Sequence, residues 1–436
     1  MNKPLRIGIA GLGNVGVGVV KILAERKDFL AAASGRALQL VAVSARDKAK
    51  DRGIDLAGVR WDDDARALAS ADDIDVVVEL IGGAEGIARE LVDQALSNGK
   101  HVVTANKALV ARHGVAQARV AEQRGVALNY EAAVAGGIPI IKALREGLTA
   151  NEITSVAGIL NGTCNYILTE MEETGREFTD VLIDAQALGY AEADPSFDVG
   201  GIDAAHKLAI LASLAFGREV SFDDVEVEGI ERITASDINF AKEFGYKIKL
   251  LGIATLGEDG ISQRVHPTLV PVGTPLAAVS GVYNAVAIQG DRVGSLVLEG
   301  RGAGEGPTAS AVLSDIVDIA RGLVMPSFIV PASSLKAPAK AKSDHVTSSY
   351  YLRFNAADRP GTMAEITKAL AQANVSIERI VQRGEEKDAA TGRMPVVFMT
   401  HETEEGSMRK AREELAKHED VAGTPLVIRI DESGSR

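Results

Sequence analysis

A short segment in the middle of the chain concentrates acidic residues around one lysine. Residues 185–207 read AQALGYAEADPSFDVGGIDAAHK and contain Glu192, Asp198, Asp203 and Lys207. Carboxylates can hold an ammonium group, and a lysine can donate a proton to an oxygen that gains negative charge. The segment therefore favours the binding and turnover of a small zwitterion.

A helix must position the last acid and the lysine of this segment. The run IDAAHKLAILASLAF, residues 202–216, is almost wholly apolar in its later turns, which predicts a buried helix. Asp203 and Lys207 are four residues apart and share a face of that helix. Solvated surface pairs have the same spacing, and Asp-Pro loops are common surface turns, so a structural role is the alternative on spacing alone.

The order of residue types here resembles the signature of homoserine dehydrogenases. The pattern A…G-Y-A-x-x-D-P-x-x-D-V-x-G-x-D-x-x-x-K is complete, from Ala185 to Lys207. The resemblance implies reversible reduction of L-aspartate 4-semialdehyde to L-homoserine with a nicotinamide cofactor. We expect Lys207 to be the first candidate proton donor and Glu192 to hold the substrate ammonium group. Asp203 would anchor Lys207 or the substrate, with Asp198 in support.

The composition limits the classes of function. A length of 436 residues suggests two or three domains, and a formal net charge of −13 argues against nucleic-acid binding. No apolar run is long enough for a membrane span, and the N-terminal residues lack a signal-peptide pattern. Cys164 is the single cysteine, so a reducing cytoplasm is expected. Its thiol could act as a nucleophile, but with no histidine nearby we expect a packing role.

The N-terminal residues 1–137 predict a Rossmann dinucleotide-binding domain. The strand Leu5–Ala10 runs into GLGNVG, which fits the G-x-G-x-x-G frame, and a helix is predicted over Val17–Glu25. The glycines let the backbone approach a pyrophosphate, and the helix start offers free N–H groups. A tight turn without a ligand is the alternative. The predicted cofactor-binding residues of this turn are Gly11, Gly13, Asn14, Val15 and Gly16.

The end of the second predicted strand bears on the choice of cofactor. An acid at this place binds the ribose hydroxyls of NAD, whereas here Ser44 is followed by Arg46 and Lys48. A hydroxyl and cations suit a 2′-phosphate, which favours NADP. Asp47 keeps NAD as the alternative.

A later strand, His101–Thr104, leads into Lys107. Strand ends at this edge of a doubly wound sheet bind ligands. The run V-T-A-N-K also resembles a homoserine dehydrogenase motif whose lysine faces the nicotinamide and the substrate. We therefore expect Thr104 to contact the cofactor, and Lys107 to be the second candidate proton donor. An ordinary lysine at a helix start is the alternative.

A loop of small residues follows the predicted strand Val126–Tyr130. Its carbonyls and one carboxylate are the oxygen ligands that hard cations favour, although the sequence alone supports only a crossover loop. The resemblance implies a sodium ion held at four positions: Glu131, Val134, Gly136 and Ile138.

Residues 138–304 form the predicted substrate-binding and dimerisation domain. The strand Ile153–Leu160 leads to Asn161, Gly162 and Thr163, a turn that helps to hold substrate in the resembling family. An ordinary Asn-Gly turn is the alternative. Residues 245–298 alternate short strand-like runs, which predict a largely antiparallel or mixed sheet.

A second glycine-rich turn precedes a predicted helix, Ala309–Leu323. Gly302 and Gly304 lie in the run GAGEGPT, whose backbone N–H groups favour an anion. By resemblance this loop touches the cofactor, and the helix, within residues 305–330, returns to the first domain.

The tail, residues 350–436, reads as a separate regulatory domain after a linker at 331–349. The linker is rich in Pro, Ala, Lys and Ser, and such a composition could let the tail move independently of the core. The βαββαβ order, with a polar loop between the middle strands, predicts a ferredoxin-like module. An R-P-G turn and an N-V-S-I strand entry resemble an ACT domain, which implies threonine as the effector. A passive dimerisation module is the alternative. The predicted effector residues are Asn355, Asp358, Gly361 and Asn374.

Together these patterns predict a three-part α/β chain that acts as an NADP-preferring homoserine dehydrogenase. We expect a homodimer or homotetramer. Another semialdehyde or amino-acid oxidoreductase on the same fold is one alternative, which substrate profiling would separate. A non-catalytic amino-acid sensor with a Rossmann domain is the other, and it would bind NADPH and threonine without turnover.

Overall fold

The computed structural model describes residues 3–341, 343–383 and 393–431. Its N-terminal part is built on a parallel sheet with helices on both faces. The strands are β1 (Leu5–Ala10), β2 (Leu38–Ser44), β3 (Arg60–Trp61), β4 (Val76–Glu79), β5 (His101–Thr104) and β6 (Leu128–Asn129). The helices are α1 (Asn14–Glu25), α2 (Lys27–Ser34), α3 (Ala67–Ser70), α4 (Ile87–Ser97) and α5 (Lys107–Arg124).

The order of these six strands is β3-β2-β1-β4-β5-β6. Strands β2 and β3 are added on one side of β1, and β4 to β6 on the other. A crevice therefore opens between β1 and β4 at the carboxyl ends of the strands. The central strands are short continuous apolar runs because helices cover both faces of the sheet. This is the doubly wound Rossmann arrangement that the sequence predicts.

The middle part combines an antiparallel sheet with a group of helices. Its strands are β7 (Ile153–Ile159), β8 (Glu226–Val227), β9 (Tyr246–Gly257), β10 (Gly260–Pro271), β11 (Tyr283–Gly290) and β12 (Gly294–Arg301). Its helices are α6 (Ile140–Lys142), α7 (Gly162–Thr174), α8 (Phe178–Ala187), α9 (Ser196–Val199), α10 (Ile202–Phe216), α11 (Ala235–Glu243) and α12 (Pro275–Ala278). The sheet order is β12-β11-β7-β9-β10, and each neighbouring pair is antiparallel.

Helix α10 spans residues 202–216, as predicted from its apolar run, and every residue from Asp203 to Ala215 is buried. It packs on β9, where Gly252 leaves room because a side chain there would lie 2.9 Å from Leu160 Cδ1. The helix therefore carries its two charged residues into the interior.

Helix α13 (Glu305–Ala320) follows the middle part but packs on α1 of the first part. The two helices approach closely at Gly18, where a Cβ atom would lie 2.8 Å from Glu305 Cγ. The loop before α13 is thereby held at the mouth of the nucleotide-binding crevice.

The C-terminal part has the βαββαβ order predicted for a ferredoxin-like module. Its elements are β13 (Thr347–Ala357), α14 (Thr362–Gln372), β14 (Ile377–Gln382), β15 (Arg393–Thr400), the short β16 (Thr403–Glu404), α15 (Glu405–Lys417) and β17 (Val421–Ile430). The strand order is β17-β13-β15-β14. The polar loop predicted between β14 and β15 lies outside the described residues.

The C-terminal part is joined to the middle part rather than free. Strand β17 pairs in parallel with β10 through Thr268–Arg429 and Leu269–Ile430, so the two sheets form one sheet of eleven strands. The predicted linker is also anchored, because the Ile261 N–H donates to the Ala339 carbonyl at 2.7 Å. In this structure the tail is therefore held against the middle part through a continuous sheet.

Within the described ranges, no helix combines the length and the apolar content that a membrane crossing needs.

Candidate active site

The glycine turn after β1 is shaped by close backbone contacts. A Cβ atom at Gly16 would lie 2.1 Å from the Gly11 carbonyl oxygen. At Gly11 the backbone has φ +102°, and a Cβ atom would lie 2.5 Å from the Leu80 carbonyl oxygen. Gly13 instead faces open space. The turn thus exposes bare backbone at the start of α1, where Asn14 and Val15 begin the helix.

A cleft of about 950 Å³ opens beside this turn. Gly11 and Gly13 line one part of it, and Ser44 and Arg46 line another. A helix start with free N–H groups fits a pyrophosphate, and the volume suits a dinucleotide-sized ligand. The donor set therefore fits the cofactor that the sequence predicts.

Glu79, which the sequence reasoning missed, fixes the ends of two strands beside the cleft. Its carboxylate is fully buried and accepts hydrogen bonds from the Thr104 hydroxyl at 2.6 Å and the Ile81 N–H at 2.7 Å. Thr104 is also fully buried. This geometry favours a positioning role for Thr104 over the predicted direct contact with the cofactor. A carboxylate flanked by apolar residues inside the run DVVVELI was the available signal.

Lys107 begins helix α5, and its side chain reaches the acid segment. Asn106 caps the helix, since its side chain accepts a hydrogen bond from the Leu109 N–H at 3.1 Å. The Lys107 ammonium lies 2.5 Å from Asp203 Oδ1. Its side chain is one-third exposed, at 33%. Lys107 is therefore more than an ordinary helix-start lysine.

Asp203 gathers three donors from distant parts of the chain. Besides Lys107, it accepts hydrogen bonds from the Lys207 ammonium and from the Asn161 amide, each at 2.8 Å. Lys207 also donates to the Leu160 carbonyl oxygen at 2.7 Å. Both Asp203 and Lys207 are buried, so they belong to an interior charge cluster. They do not form the solvated surface pair that their spacing alone would allow.

The cluster controls which groups are charged. Burial raises the pKa of Asp203, but the charges of Lys207 and Lys107 outweigh it, so the pKa ends well below its usual value. Burial lowers the pKa of Lys207, against the opposing effect of Asp203. Burial and the nearby Asp203 charge raise the pKa of Asp198. Asp203 is therefore the fixed negative charge, and Lys207 is a strengthened acid.

The Asn-Gly-Thr turn at the start of α7 ties the acid segment to the sheet. Asn161 also donates to Asp198 at 2.8 Å, and its side chain caps α7 by accepting from the Cys164 N–H. A side chain at Gly162 would lie 2.7 Å from the Val282 carbonyl oxygen. The Thr163 hydroxyl donates to the Tyr190 carbonyl oxygen at 2.6 Å. The turn is thus part of the site rather than an isolated surface turn.

All three parts of the chain match known protein families. A model described as "Homoserine dehydrogenase" matches residues 139–317, one described as "Homoserine dehydrogenase, NAD binding domain" matches residues 11–131, and an ACT domain model matches residues 350–420. A homoserine dehydrogenase of Pseudomonas aeruginosa is 47% identical over 439 residues, which cover 99% of each chain. The chain belongs to the homoserine dehydrogenase family.

Solved structures of the family agree with this assignment. A homoserine dehydrogenase from Thiobacillus denitrificans matches with a TM-score of 0.91 and 44% identity, covering 98% of each chain. A hyperthermophilic archaeal homoserine dehydrogenase in complex with NADPH matches with a TM-score of 0.64 and 27% identity, covering 74% of this chain and 99% of that one. The chain is an NAD(P)-dependent oxidoreductase that acts on CH–OH groups, with homoserine dehydrogenase activity.

Asn284 lies between the glycine-rich turn that precedes α13 and the Asn-Gly-Thr turn that precedes α7. This residue is buried and was missed from the sequence. A Cβ atom at Gly302 would lie 2.1 Å from Asn284 Nδ2, and one at Gly162 would lie 3.4 Å from Asn284 Oδ1. Gly304 caps α13 at φ +119°. Asn284 carried no local signal, because a single amide in a strand is common.

Other predicted residues lie around the site or away from it. Glu192 is exposed, and in the described part of the chain its carboxylate has no hydrogen bond or ion pair.

Three of the predicted effector residues, Asn355, Asp358 and Gly361, lie near the junction of β13 and α14. Asn374 follows the far end of α14, roughly 16 Å away at 1.5 Å per residue. One chain therefore does not gather all four predicted effector residues.

Cys164 is fully buried, and its thiol donates to the Asp198 carbonyl oxygen at 3.2 Å. Burial raises the pKa of this thiol well above its usual value. A buried thiol that resists ionisation is a poor nucleophile, in keeping with the packing role we expect.

Proposed function

We propose that this enzyme reversibly reduces L-aspartate 4-semialdehyde to L-homoserine with a preference for NADP, in threonine and methionine biosynthesis. One observation carries the proposal: Asp203 lies between the ammonium groups of Lys107 and Lys207, at 2.5 and 2.8 Å. Two cations held by one buried acid suit an oxygen that gains negative charge. Purified protein should oxidise NADPH when given aspartate semialdehyde, and absence of turnover above background would refute the activity.

When bound, the nicotinamide supplies or accepts the hydride. We assign the donation of the proton to the substrate oxygen to Lys207, since burial lowers its pKa below the usual value of a lysine and makes it a better proton donor. Lys107 would stabilise the charge of the same oxygen and is the second candidate donor. Asp203 would hold both lysines in place. Glu192 remains our proposal for the partner of the substrate ammonium group.

Matched variants separate the two lysines. Lys207→Ala should keep NADPH binding and lose about 100-fold or more in kcat, the usual contribution of a general acid. Lys107→Ala should lower kcat and move the alkaline limb of kcat to higher pH, because the Lys107 charge also lowers the pKa of Lys207. A Lys207→Ala enzyme with kcat within about threefold of wild type would contradict the donor role.

The preference for NADP is supported by the turn that follows β2. The carboxylate of Asp47 accepts hydrogen bonds from the Ala49 and Lys50 N–H groups, at 2.9 and 3.2 Å. Asp47 lines the cleft together with Ser44 and Arg46, but its carboxylate is already engaged within its own turn. The archaeal relative in complex with NADPH also supports this preference. Steady-state rates with NADPH and NADH test it directly.

We also propose a sodium ion at the loop that follows β6. Glu131 is buried and accepts hydrogen bonds from the Ile141 and Lys142 N–H groups, each at 2.9 Å. Burial, and then the neighbouring Asp315 charge, raise its pKa to about 7. A cation beside this carboxylate would keep it ionised, so the donor chemistry fits.

The carbonyl groups of Val134, Gly136 and Ile138 would complete the sodium ligands. Gly136 has φ +27°, and a side chain there would lie 2.6 Å from the Gly302 carbonyl oxygen. The ion would supply a fixed positive charge beside the loop that leads to α13. Thermal unfolding in sodium chloride and in choline chloride at equal ionic strength tests this. Wild type should be more stable in sodium, and Glu131→Gln should lose the difference; equal stability in both salts would contradict the site.

We propose that threonine regulates the enzyme through the ACT domain. The three predicted effector residues near the β13–α14 junction are exposed, as ligand access requires. Rates measured with and without threonine test the proposal, and an unchanged rate at saturating threonine would contradict it. The homodimer or homotetramer and the cytoplasmic location stay predictions; a mass measurement in solution decides the first.

A further inference from the structure

A second cleft lies where the middle sheet meets the ACT domain, and we call it the seam cleft. Its volume is about 250 Å³, and its walls come mainly from β9, β10, β13 and β17. This is smaller than the ~300–1,000 Å³ typical of drug-sized ligand pockets, so an occupant must be a small metabolite. Its lining includes five charged or titratable side chains: Arg264, His266, Glu402, Arg429 and Asp431.

Arg264 is the least satisfied group in the seam cleft. Its residue exposure is only 6%. Its Nη1 donates to Glu405 Oε2 at 3.2 Å. Over the described ranges, neither Nε nor Nη2 has a hydrogen-bond partner; Nε lies 3.4 Å from Glu226 Oε2 without forming a bond. Buried guanidinium groups are normally hydrogen-bonded, so these two nitrogens are unsatisfied donors. Both are shielded from solvent, so a ligand in the cleft would reach them only after the side chain turns towards it.

Nearby groups explain why Arg264 is left in this state. Glu405 is already engaged by Arg429, whose Nε and Nη2 donate to its two oxygens at 2.9 and 2.6 Å. His266 is buried, and burial followed by the Arg429 charge lowers its pKa to about 3, so it stays neutral. Its Nδ1 lies 2.9 Å from the Pro267 carbonyl oxygen. The Thr268 hydroxyl also lies 3.0 Å from this nitrogen. With the proton on Nδ1, as a carbonyl partner requires, Nε2 would be an acceptor.

We propose that the seam cleft binds a small L-α-amino acid, with the amino-acid carboxylate on Arg264. The fork of a guanidinium matches a carboxylate. The ammonium group would use acceptors on the same walls, namely His266 and the carboxylates of Glu402 and Asp431. A simple anion would gain from Arg264 alone and would be repelled by these acids. The proposal rests on the amino-acid feedback proposed above, and it places the effector between the ACT domain and the core.

The position of the cleft gives the occupant a short path to the active site. Arg264 and His266 point to one face of β10, and the residue between them, Val265, faces the other way. A Cβ atom at Gly201 would lie 3.1 Å from Val265 Cγ1. Gly201 caps helix α10, whose first turn carries Asp203. A ligand that shifts β10 would therefore press on the cap that orients the charge cluster.

Calorimetric titration of the full chain with L-threonine tests the proposal, with L-threoninamide as the matched probe that lacks the carboxylate. Two variants address the cleft independently. Arg264→Gln removes the guanidinium, and Arg429 still pairs with Glu405. Thr255→Trp fills the cleft from an exposed strand position. Asp358→Ala, at the predicted ACT turn, is the comparison variant.

We expect threonine to bind wild type and Asp358→Ala alike, and threoninamide to bind much more weakly. Arg264→Gln should weaken threonine binding roughly 10-fold to 100-fold, as for a lost charge-assisted bond, and Thr255→Trp should abolish it. Wild-type affinity in both cleft variants, or loss only in Asp358→Ala, would overturn the proposal while leaving feedback intact. Arg264-dependent binding without inhibition of turnover would support the cleft and overturn the feedback proposal. Absence of threonine binding to wild type would overturn both.

Discussion

Replacing Asp203 with asparagine removes the negative charge that holds the two active-site lysines. The variant keeps the size of the side chain and one oxygen acceptor, so the bond from Asn161 can persist. It removes the negative charge from both lysine contacts, at 2.5 and 2.8 Å, and a hydrogen bond to a charged group is worth about 1.5–3 kcal/mol. Because Lys207 is buried, we expect a net loss of about 3–5 kcal/mol in stability, typical of a broken buried ion pair.

The pH dependence of kcat is the sharper assay. Burial lowers the pKa of Lys207, and the charge of Asp203 is the main opposing effect. Without that charge the pKa of Lys207 falls further, so the protonated donor is lost at a lower pH. The alkaline limb of kcat for aldehyde reduction should therefore move to lower pH in Asp203→Asn. At the wild-type optimum kcat should fall about 100-fold or more, as for loss of a preorganised electrostatic group.

Asp198→Asn is the matched control for this experiment. Asp198 also accepts a hydrogen bond from Asn161, at 2.8 Å, but in the described structure it forms no salt bridge with either lysine. The alkaline limb of kcat in Asp198→Asn should therefore stay closer to that of wild type than the limb of Asp203→Asn does. If the alkaline limbs of Asp203→Asn and wild type coincide, the proposed coupling between Asp203 and the proton donor is wrong.

Three further substitutions test other parts of the site. Arg46→Gln should lower kcat/KM for NADPH roughly 10-fold to 100-fold and leave NADH nearly unchanged, as expected for a lost charge-assisted bond; equal losses with both cofactors would contradict the 2′-phosphate contact. Gly16→Ala should weaken NADPH binding in a fluorescence titration, because its Cβ would lie 2.1 Å from the Gly11 carbonyl oxygen; unchanged affinity would show that the turn can relax. Cys164→Ala should keep kcat within about twofold, and wild type should resist alkylation by iodoacetamide until it unfolds, since the thiol is buried. Rapid alkylation of the native enzyme would contradict that packing role.

Local pattern predicted the element types well and their ends less well. Helix α10 and strand β5 begin and end where their apolar patterns do. Helix α13 was predicted from Ala309 but begins at Glu305. Gly306 and Pro307 suggested a loop, yet proline is tolerated in the first helical turn, where its missing N–H has no intrahelical partner. The ends were therefore misread where helix-breaking residues lie in a first turn.

Distant pairings were beyond the sequence. The ion pair of Lys107 with Asp203 joins residues almost a hundred positions apart, and only the packing of α5 on α10 brings them together. Glu79 and Asn284 shape the site without belonging to any recognised motif. The join between β10 and β17 removed the freedom that a Pro- and Ala-rich linker implied.

By itself the sequence determined the family, the order of the three parts, the glycine turns and the residues able to do chemistry. These depend on local periodicity and on fixed spacings between residues that are close together in the sequence. Only the tertiary structure decided that Asp203 serves two lysines at once and that Arg264 faces a cleft with two unused donors. Burial and charge pairing set those properties, and both depend on which distant segments exclude water from the same place.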